Sequence, residues 1–245
     1  MKILKPLFIW LAGLATALAL LQPSNAQTET KTMKNVIIMG ANGRTAQEII
    51  PRLLQQNDVH LALFLRHASR LEHMKSERVD VVEGDATNLA DVERAMKGQD
   101  IVINTMGGMD LDKKTANIIK AMQDNGVKRL ISISAGGIYD ELPEPFNTWD
   151  REIVGQTRPI NRRSAEEIEQ SDLTYTILRP VWLTNKPIET VELTQKGETY
   201  KGTETSRASL GRFIADIVKN PDSHKNENLG ISQPNTDGDR PAAYR

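Results

Sequence analysis

Residues 36–50 read VIIMGANGRTAQEII, and this stretch restricts the possible folds more than any other in the chain. An apolar, largely β-branched run enters Gly40 and Gly43, and small Ala46 follows at the start of a helical pattern. A strand that turns through glycines straight into a helix brings free backbone N–H groups and the positive end of the helix dipole to one point, where a phosphate can sit. Gly40 permits the tight turn, Gly43 the approach of the phosphates, and Ala46 close packing of the helix on the strand. Asn42, Arg44 and Thr45 complete the turn, and Arg44 adds a cation to it.

The segments beyond the turn support this reading. Apolar runs predict strands at 35–39, 60–65, 79–83, 101–105, 129–134 and 174–179, and 3.6-residue patterns predict helices at 45–56, 90–96, 113–125 and 163–171. Such alternation is the signature of βαβ units, so the expected fold is α/β, a doubly wound parallel sheet in a single domain over 34–235. A polar linker at 27–33 precedes it and a polar tail at 236–245 follows. Residues 140–161, with three prolines, read as a long irregular excursion, and the whole stretch from 226 reads as lying over the surface. Beyond Pro180 the chain leaves the sheet as a small substrate-side region, in which Trp182 and Leu183 either wall a pocket or fill the core beneath a loop.

The second predicted strand runs into Arg66, twenty residues after Ala46. In a dinucleotide-binding fold an acid at that place bonds the ribose 2′-hydroxyl of NAD, whereas an arginine attracts the 2′-phosphate of NADP. NADP(H) is therefore favoured over NAD(H), with Arg70 able to assist. The alternative is an ordinary surface arginine at a strand end.

Seven segments in order, GANGRTAQEI, LRHASRL, VEGDATN, IVINTMGG, KRLISISAGGIYDE, SDLTYTILRPVWLT and ETSRASL, resemble the atypical short-chain dehydrogenase/reductases of the NmrA-like, NAD(P)H-binding type. The likeness spans about residues 34–235 and implies a Rossmann fold. It also implies that Asp85 and Ala86 lie against the adenine, and that Thr105, Met106 and Gly107 run beside the ribose and nicotinamide half of the cofactor. Asp85 reads equally well as part of a turn-forming Gly-Asp pair.

Conventional members of that superfamily reduce carbonyls with Tyr-x-x-x-Lys on one helix face, the lysine lowering the tyrosine pKa. Here Tyr139, Tyr175 and Tyr200 are followed at the fourth position by Pro143, Arg179 and Glu204, and Tyr244 lies too near the end to have a partner. The corresponding helix reads RPINRRSAEEIEQ, where Arg162 or Arg163 could hold ribose hydroxyls but not relay a proton. Ser134 takes the place of the substrate-orienting serine, and Tyr139 is close enough in sequence to hang over the same cleft as proton donor. Each has a plainer alternative, a backbone-bonded hydroxyl and a loop residue packed on the sheet.

The chain has no cysteine, and its four histidines show no metal-ligand spacing, so thiol chemistry is excluded and no metal is expected. The first 26 residues have the order of a Sec-type signal peptide: Lys2 and Lys5, an uncharged stretch at 7–21, then Ser24-Asn25-Ala26. Cleavage there predicts an exported, periplasmic or secreted protein beginning at Gln27; the alternatives are an uncleaved segment that anchors it to a membrane and a cytoplasmic location. Of the 31 basic and 32 acidic residues it removes only two lysines, leaving a formal charge of −3, which argues against a nucleic-acid partner. The expected function is an NADP-dependent oxidoreductase of a small carbonyl or quinone-like acceptor. The alternative is a protein that binds NADP(H) without turnover.

Overall fold

The apolar run ending at Met39 becomes a central strand of a parallel sheet in the computed structural model, which describes residues 33–245. The signal-peptide reading and most of the predicted linker lie outside the described residues. In chain order the elements are β1 (Lys34–Met39), α1 (Arg44–Leu54), β2 (Val59–Leu65), β3 (Val79–Glu83), α2 (Leu89–Met96), β4 (Ile101–Asn104), α3 (Leu111–Asp124) and β5 (Arg129–Ile133). They continue with α4 (Phe146–Val154), α5 (Arg158–Gln170), β6 (Thr174–Pro180), β7 (Trp182–Thr184), β8 (Glu192–Thr194), β9 (Glu204–Ser206), α6 (Arg207–Lys219) and β10 (Glu227–Ser232).

The main sheet runs β3-β2-β1-β4-β5-β6-β10-β8, parallel throughout except for antiparallel β8 at its edge. This is the doubly wound order, with its reversal between β1 and β4. Both faces are covered, which explains why β1 is apolar without alternation. Val36 and Ile38 face one core with Ile49, Leu53, Leu210 and Ile214 from α1 and α6, while Ile37 and Met39 face the other with Val92, Ile118 and Ile168 from α2, α3 and α5. All four of these β1 residues are fully buried, and each such side chain contributes about 1.5–3 kcal/mol to stability. Asn88 caps α2 by accepting from Ala90 N–H at 3.1 Å, and Ser206 caps α6 by accepting from Ser209 N–H.

Three expectations are corrected. Residues 140–161 are not an irregular excursion: Phe146 and Trp149 anchor α4, and α5 starts at Arg158, five residues before the predicted start. The first part of the stretch from 226 does not lie over the surface, because β10 sits between β6 and β8 with Leu229 and Ile231 buried, whereas residues 234–245 are mostly exposed or half-buried. The strands number ten rather than six among the described residues, with β7 and β9 pairing as a separate two-stranded sheet on the substrate side.

Beneath that region lies a buried polar network that the sequence did not reveal. Arg179, at 0 % exposure, pairs through Nη1 with Glu141 and donates from Nε to Asn228 Oδ1 at 2.8 Å. The Tyr200 hydroxyl donates to the Arg179 carbonyl at 2.7 Å. The network ties β6, β10 and the two loops together.

Candidate active site

A cavity of about 440 Å³ opens beyond the carboxyl ends of β1 to β4, at the reversal of strand order. Its floor is the glycine turn. Gly40 has φ +83°, and a Cβ there would lie 2.7 Å from Met106 Cγ and 3.2 Å from Thr105 Oγ1, so two strands meet over a position that only glycine fills without strain. Thr105 locks the junction by donating its hydroxyl to the Met39 carbonyl at 3.0 Å.

Helix α1 starts at this point with no side-chain cap, since Gly43 occupies the cap position. The Ala41 N–H is taken by the Phe64 carbonyl and the Gly43 N–H by the Gly40 carbonyl. The N–H groups of Arg44, Thr45 and Ala46 have no hydrogen-bond partner among the described residues. Unsatisfied donors at a helix start, with no acid in the first turn, form an anion cradle. A dinucleotide's pyrophosphate fits this donor set.

Gly40, Asn42, Gly43, Arg66, Asp85, Ala86, Thr105, Met106 and Gly107 all border this cavity. Thr45 is buried behind the turn. Arg66 and Arg70 stand at one end, with His67 between them in sequence. Lys114 of α3, unnoticed in the sequence, also borders the cavity and donates to the Gly107 carbonyl at 3.2 Å while pairing with Asp110 at 2.6 Å. Asp85 does two things at once: it borders the cavity, and its Oδ1 accepts from both the N–H and the hydroxyl of Thr87 at 2.9 Å. Those bonds, aided by the charges of Arg66 and Lys114, hold its carboxyl below the usual range. The carboxylates of Asp85 and Asp110 border the same cavity, and Lys114 is already paired with Asp110, so Arg66 and Arg70 are the cations open to a phosphate on the ribose.

A second cavity of about 550 Å³ lies past the ends of β5 and β6. Ser134, Trp182 and Leu183 line it, as do Val181, Asp150, Arg207 and Tyr244. Arg44 borders this cavity rather than the first. Ser134 Oγ has one weak bond, to the Asn161 carbonyl at 3.5 Å, so its hydroxyl is largely uncommitted. Asp150 is held by the buried Arg158 at 2.6 Å, although burial still pushes its carboxyl above the usual range.

Tyr139 does not hang over either cavity, contrary to expectation. Its hydroxyl accepts from Asn228 Nδ2 at 3.1 Å, and its ring is flanked by Lys196 Nζ at 4.4 Å and by the guanidinium groups of Arg179 and Arg162 at 5.2 and 5.3 Å. Burial, with the Glu169 carboxylate, pushes its pKa up. Arg162 and Arg163 are likewise outside both cavities, paired with Glu166 at 2.8 Å and Asp112 at 2.8 Å. The reason is helical phase: with α5 beginning at Arg158, its buried face carries Asn161, Ser164, Ala165 and Ile168, which turns positions 162 and 163 outward. The Ile160-Ser164-Ile168 spacing was the sequence signal for that phase.

The model of the family described as NAD(P)H-binding matches residues 40–221. A Rossmann-fold NAD(P)-binding family protein from Shigella flexneri is 40% identical and superposes with a TM-score of 0.72, the match covering 85% of this chain and 98% of that one. A wide-type short-chain dehydrogenase/reductase from Veillonella parvula DSM 2008, in complex with NADP, is 29% identical with a TM-score of 0.80, over 85% of this chain and 99% of that one. The uncharacterized sugar epimerase YhfK of Bacillus subtilis (strain 168) is 26% identical over 226 residues, covering 85% of this chain and 96% of its own.

Proposed function

The chain belongs to the NAD(P)H-binding family, and from that premise we propose that it is an NADP-dependent oxidoreductase of a quinone-like or small carbonyl acceptor. The observation that carries the cofactor part is the glycine turn, which borders the first cavity through Gly40, Asn42 and Gly43 and leads into three helix-start N–H groups unpaired among the described residues, with Arg66 and Arg70 on the wall of the same cavity. Bound NADPH would supply a hydride. The protein's own part is to seat the pyrophosphate on the glycine turn, to neutralise a 2′-phosphate with Arg66, and to present the acceptor in the second cavity.

Ser134 lines that cavity with a hydroxyl available to orient an acceptor oxygen. Tyr139 is engaged outside the cavity and Asp150 is held by Arg158, and on this reading the proton that follows the hydride is taken from water. Positioned acids accelerate such steps by about 10²- to 10⁴-fold. An acceptor whose reduced form is a stable anion has less need of such an acid, which is the argument for quinones over simple ketones.

The NADP complex of the Veillonella protein supports the cofactor assignment by likeness. One observation favours a second reading, NADP(H) binding without turnover: the lack of a lysine-activated tyrosine at the second cavity. Titrating the protein with NADPH and NADH by nicotinamide fluorescence, then adding a naphthoquinone, separates the readings. Tight NADPH binding followed by stoichiometric quinol formation supports the reductase. Binding with no oxidation of NADPH supports the second reading, and no binding of either nucleotide overturns both.

A further inference from the structure

Of the four buried arginines among the described residues, three are fully engaged. Arg179 has Glu141, Arg158 has Asp150 and Asn147, and Arg129 donates to Thr176 and to the carbonyls of Pro221 and Ser223. Arg207 is different. At 8 % exposure it donates from Nη1 to the neutral Asn185 side chain at 2.8 Å and has no carboxylate partner among the described residues. Most of the five donors of its guanidinium are unused. Burial, with the positive charge of Arg44 nearby, lowers its pKa from the ordinary value. Arg44 has no ion-pair partner among the described residues either.

Both arginines line the second cavity, where the one acid among the described lining residues, Asp150, is already neutralised by Arg158. Arg44 is exposed and solvent screens its charge, so the cost of holding the two cations together falls mainly on buried Arg207, and an incoming anion would recover it. Besides the neutral polar groups of Ser134, Thr157, Thr184 and Asn185, the wall has an apolar and aromatic part. Val154, Pro180, Val181 and Leu183 line it, and the Trp182 and Tyr244 rings meet edge to face at 5.0 Å, with Trp149 behind them at 5.2 Å from Trp182. The volume is within the range that holds a drug-sized molecule.

We propose that the second cavity is a binding site for a planar aromatic acceptor bearing a carboxylate, with the carboxylate held by Arg207 and Arg44 and the rings against Trp182 and Tyr244. As a substrate site it rests on the cofactor reading above; as an anion site it stands alone. An oxyanion could also come from the cofactor's phosphates, so the test distinguishes the two sources.

The test is calorimetric titration of the full chain with 2-naphthoate and with uncharged 2-naphthamide, each with and without saturating NADPH. Naphthoate should bind at least tenfold more tightly, since charge-assisted bonds to a guanidinium are the strong ones. Arg207→Gln should abolish that preference without changing NADPH affinity, and Arg207→Lys should restore part of it. Arg44→Gln, at an exposed position, should reduce the preference severalfold in a protein of unaltered thermal stability, which guards against a misfolded Arg207 variant. Equal affinities for the two probes, no binding of naphthoate, or a preference unchanged in both glutamine variants would overturn the proposal. So would a loss of NADPH affinity in Arg207→Gln as large as the loss for naphthoate, which would assign the arginines to the cofactor. If NADPH fails to bind the native chain, the cofactor reading falls, while the naphthoate preference measured without it still decides the anion site.

Discussion

Replacing Gly40 by alanine perturbs the fold and the cofactor cradle through one added carbon. At φ +83° an alanine costs about 1–2 kcal/mol from backbone strain alone. Its Cβ would also stand 2.7 Å from Met106 Cγ and 3.2 Å from Thr105 Oγ1. Met106 is a flexible thioether and can yield, but Thr105 is tied to the Met39 carbonyl, so the crowding adds about 1 kcal/mol. A total of about 2–3 kcal/mol corresponds to a melting temperature lower by roughly 4–12 °C in a domain of this size. Gly98→Ala is the control: its φ is +73°, and a Cβ there meets nothing within 4 Å. It should show the backbone cost with no change in NADPH binding, whereas Gly40→Ala should lose more stability and weaken NADPH at least tenfold. Calorimetric melting and nicotinamide fluorescence on the two variants settle the comparison. Equal melting shifts, with NADPH affinity intact in both, would refute the argument that this turn is built around a missing side chain.

Arg66→Ala should remove most of the preference for NADPH over NADH, roughly tenfold to a hundredfold, and equal affinities in the unmutated protein would contradict the assignment. Arg179→Met, which leaves Glu141 buried and unpaired, should destabilise by about 3–5 kcal/mol in urea titrations, and Arg179→Met with Glu141→Leu should recover most of that. Tyr139→Phe should leave NADPH affinity and quinone reduction unchanged and cost about 0.5–1.5 kcal/mol for the lost Asn228 bond; a tenfold fall in turnover would return Tyr139 to the chemistry.

The first half of the molecule was legible because its determinants are local. A buried parallel strand must be apolar on both faces, so 36–39 announced itself, and the glycine turn, the position of Arg66 and the order of βαβ units emerged from spacing along one chain, while Asp85 came only from the family resemblance. The second half depends on contacts between distant segments. Strand β10 was hidden because Asn228 is polar, yet it is buried by bonds to Arg179, Tyr139 and Glu169, residues 49, 89 and 59 positions away. The exclusion of Arg162 and Arg163 from the site follows from the buried face of α5, which the Ile160-Ser164-Ile168 spacing signalled but the late predicted start at 163 concealed. Arg207 and Arg44 are 163 residues apart; the sequence reads Arg44 as a cation of the glycine turn and gives Arg207 no role. Only the packing of α6 beside α1 brings their like charges to one cavity without a counterion, because electrostatic repulsion is a property of distance in space and leaves no mark on sequence spacing.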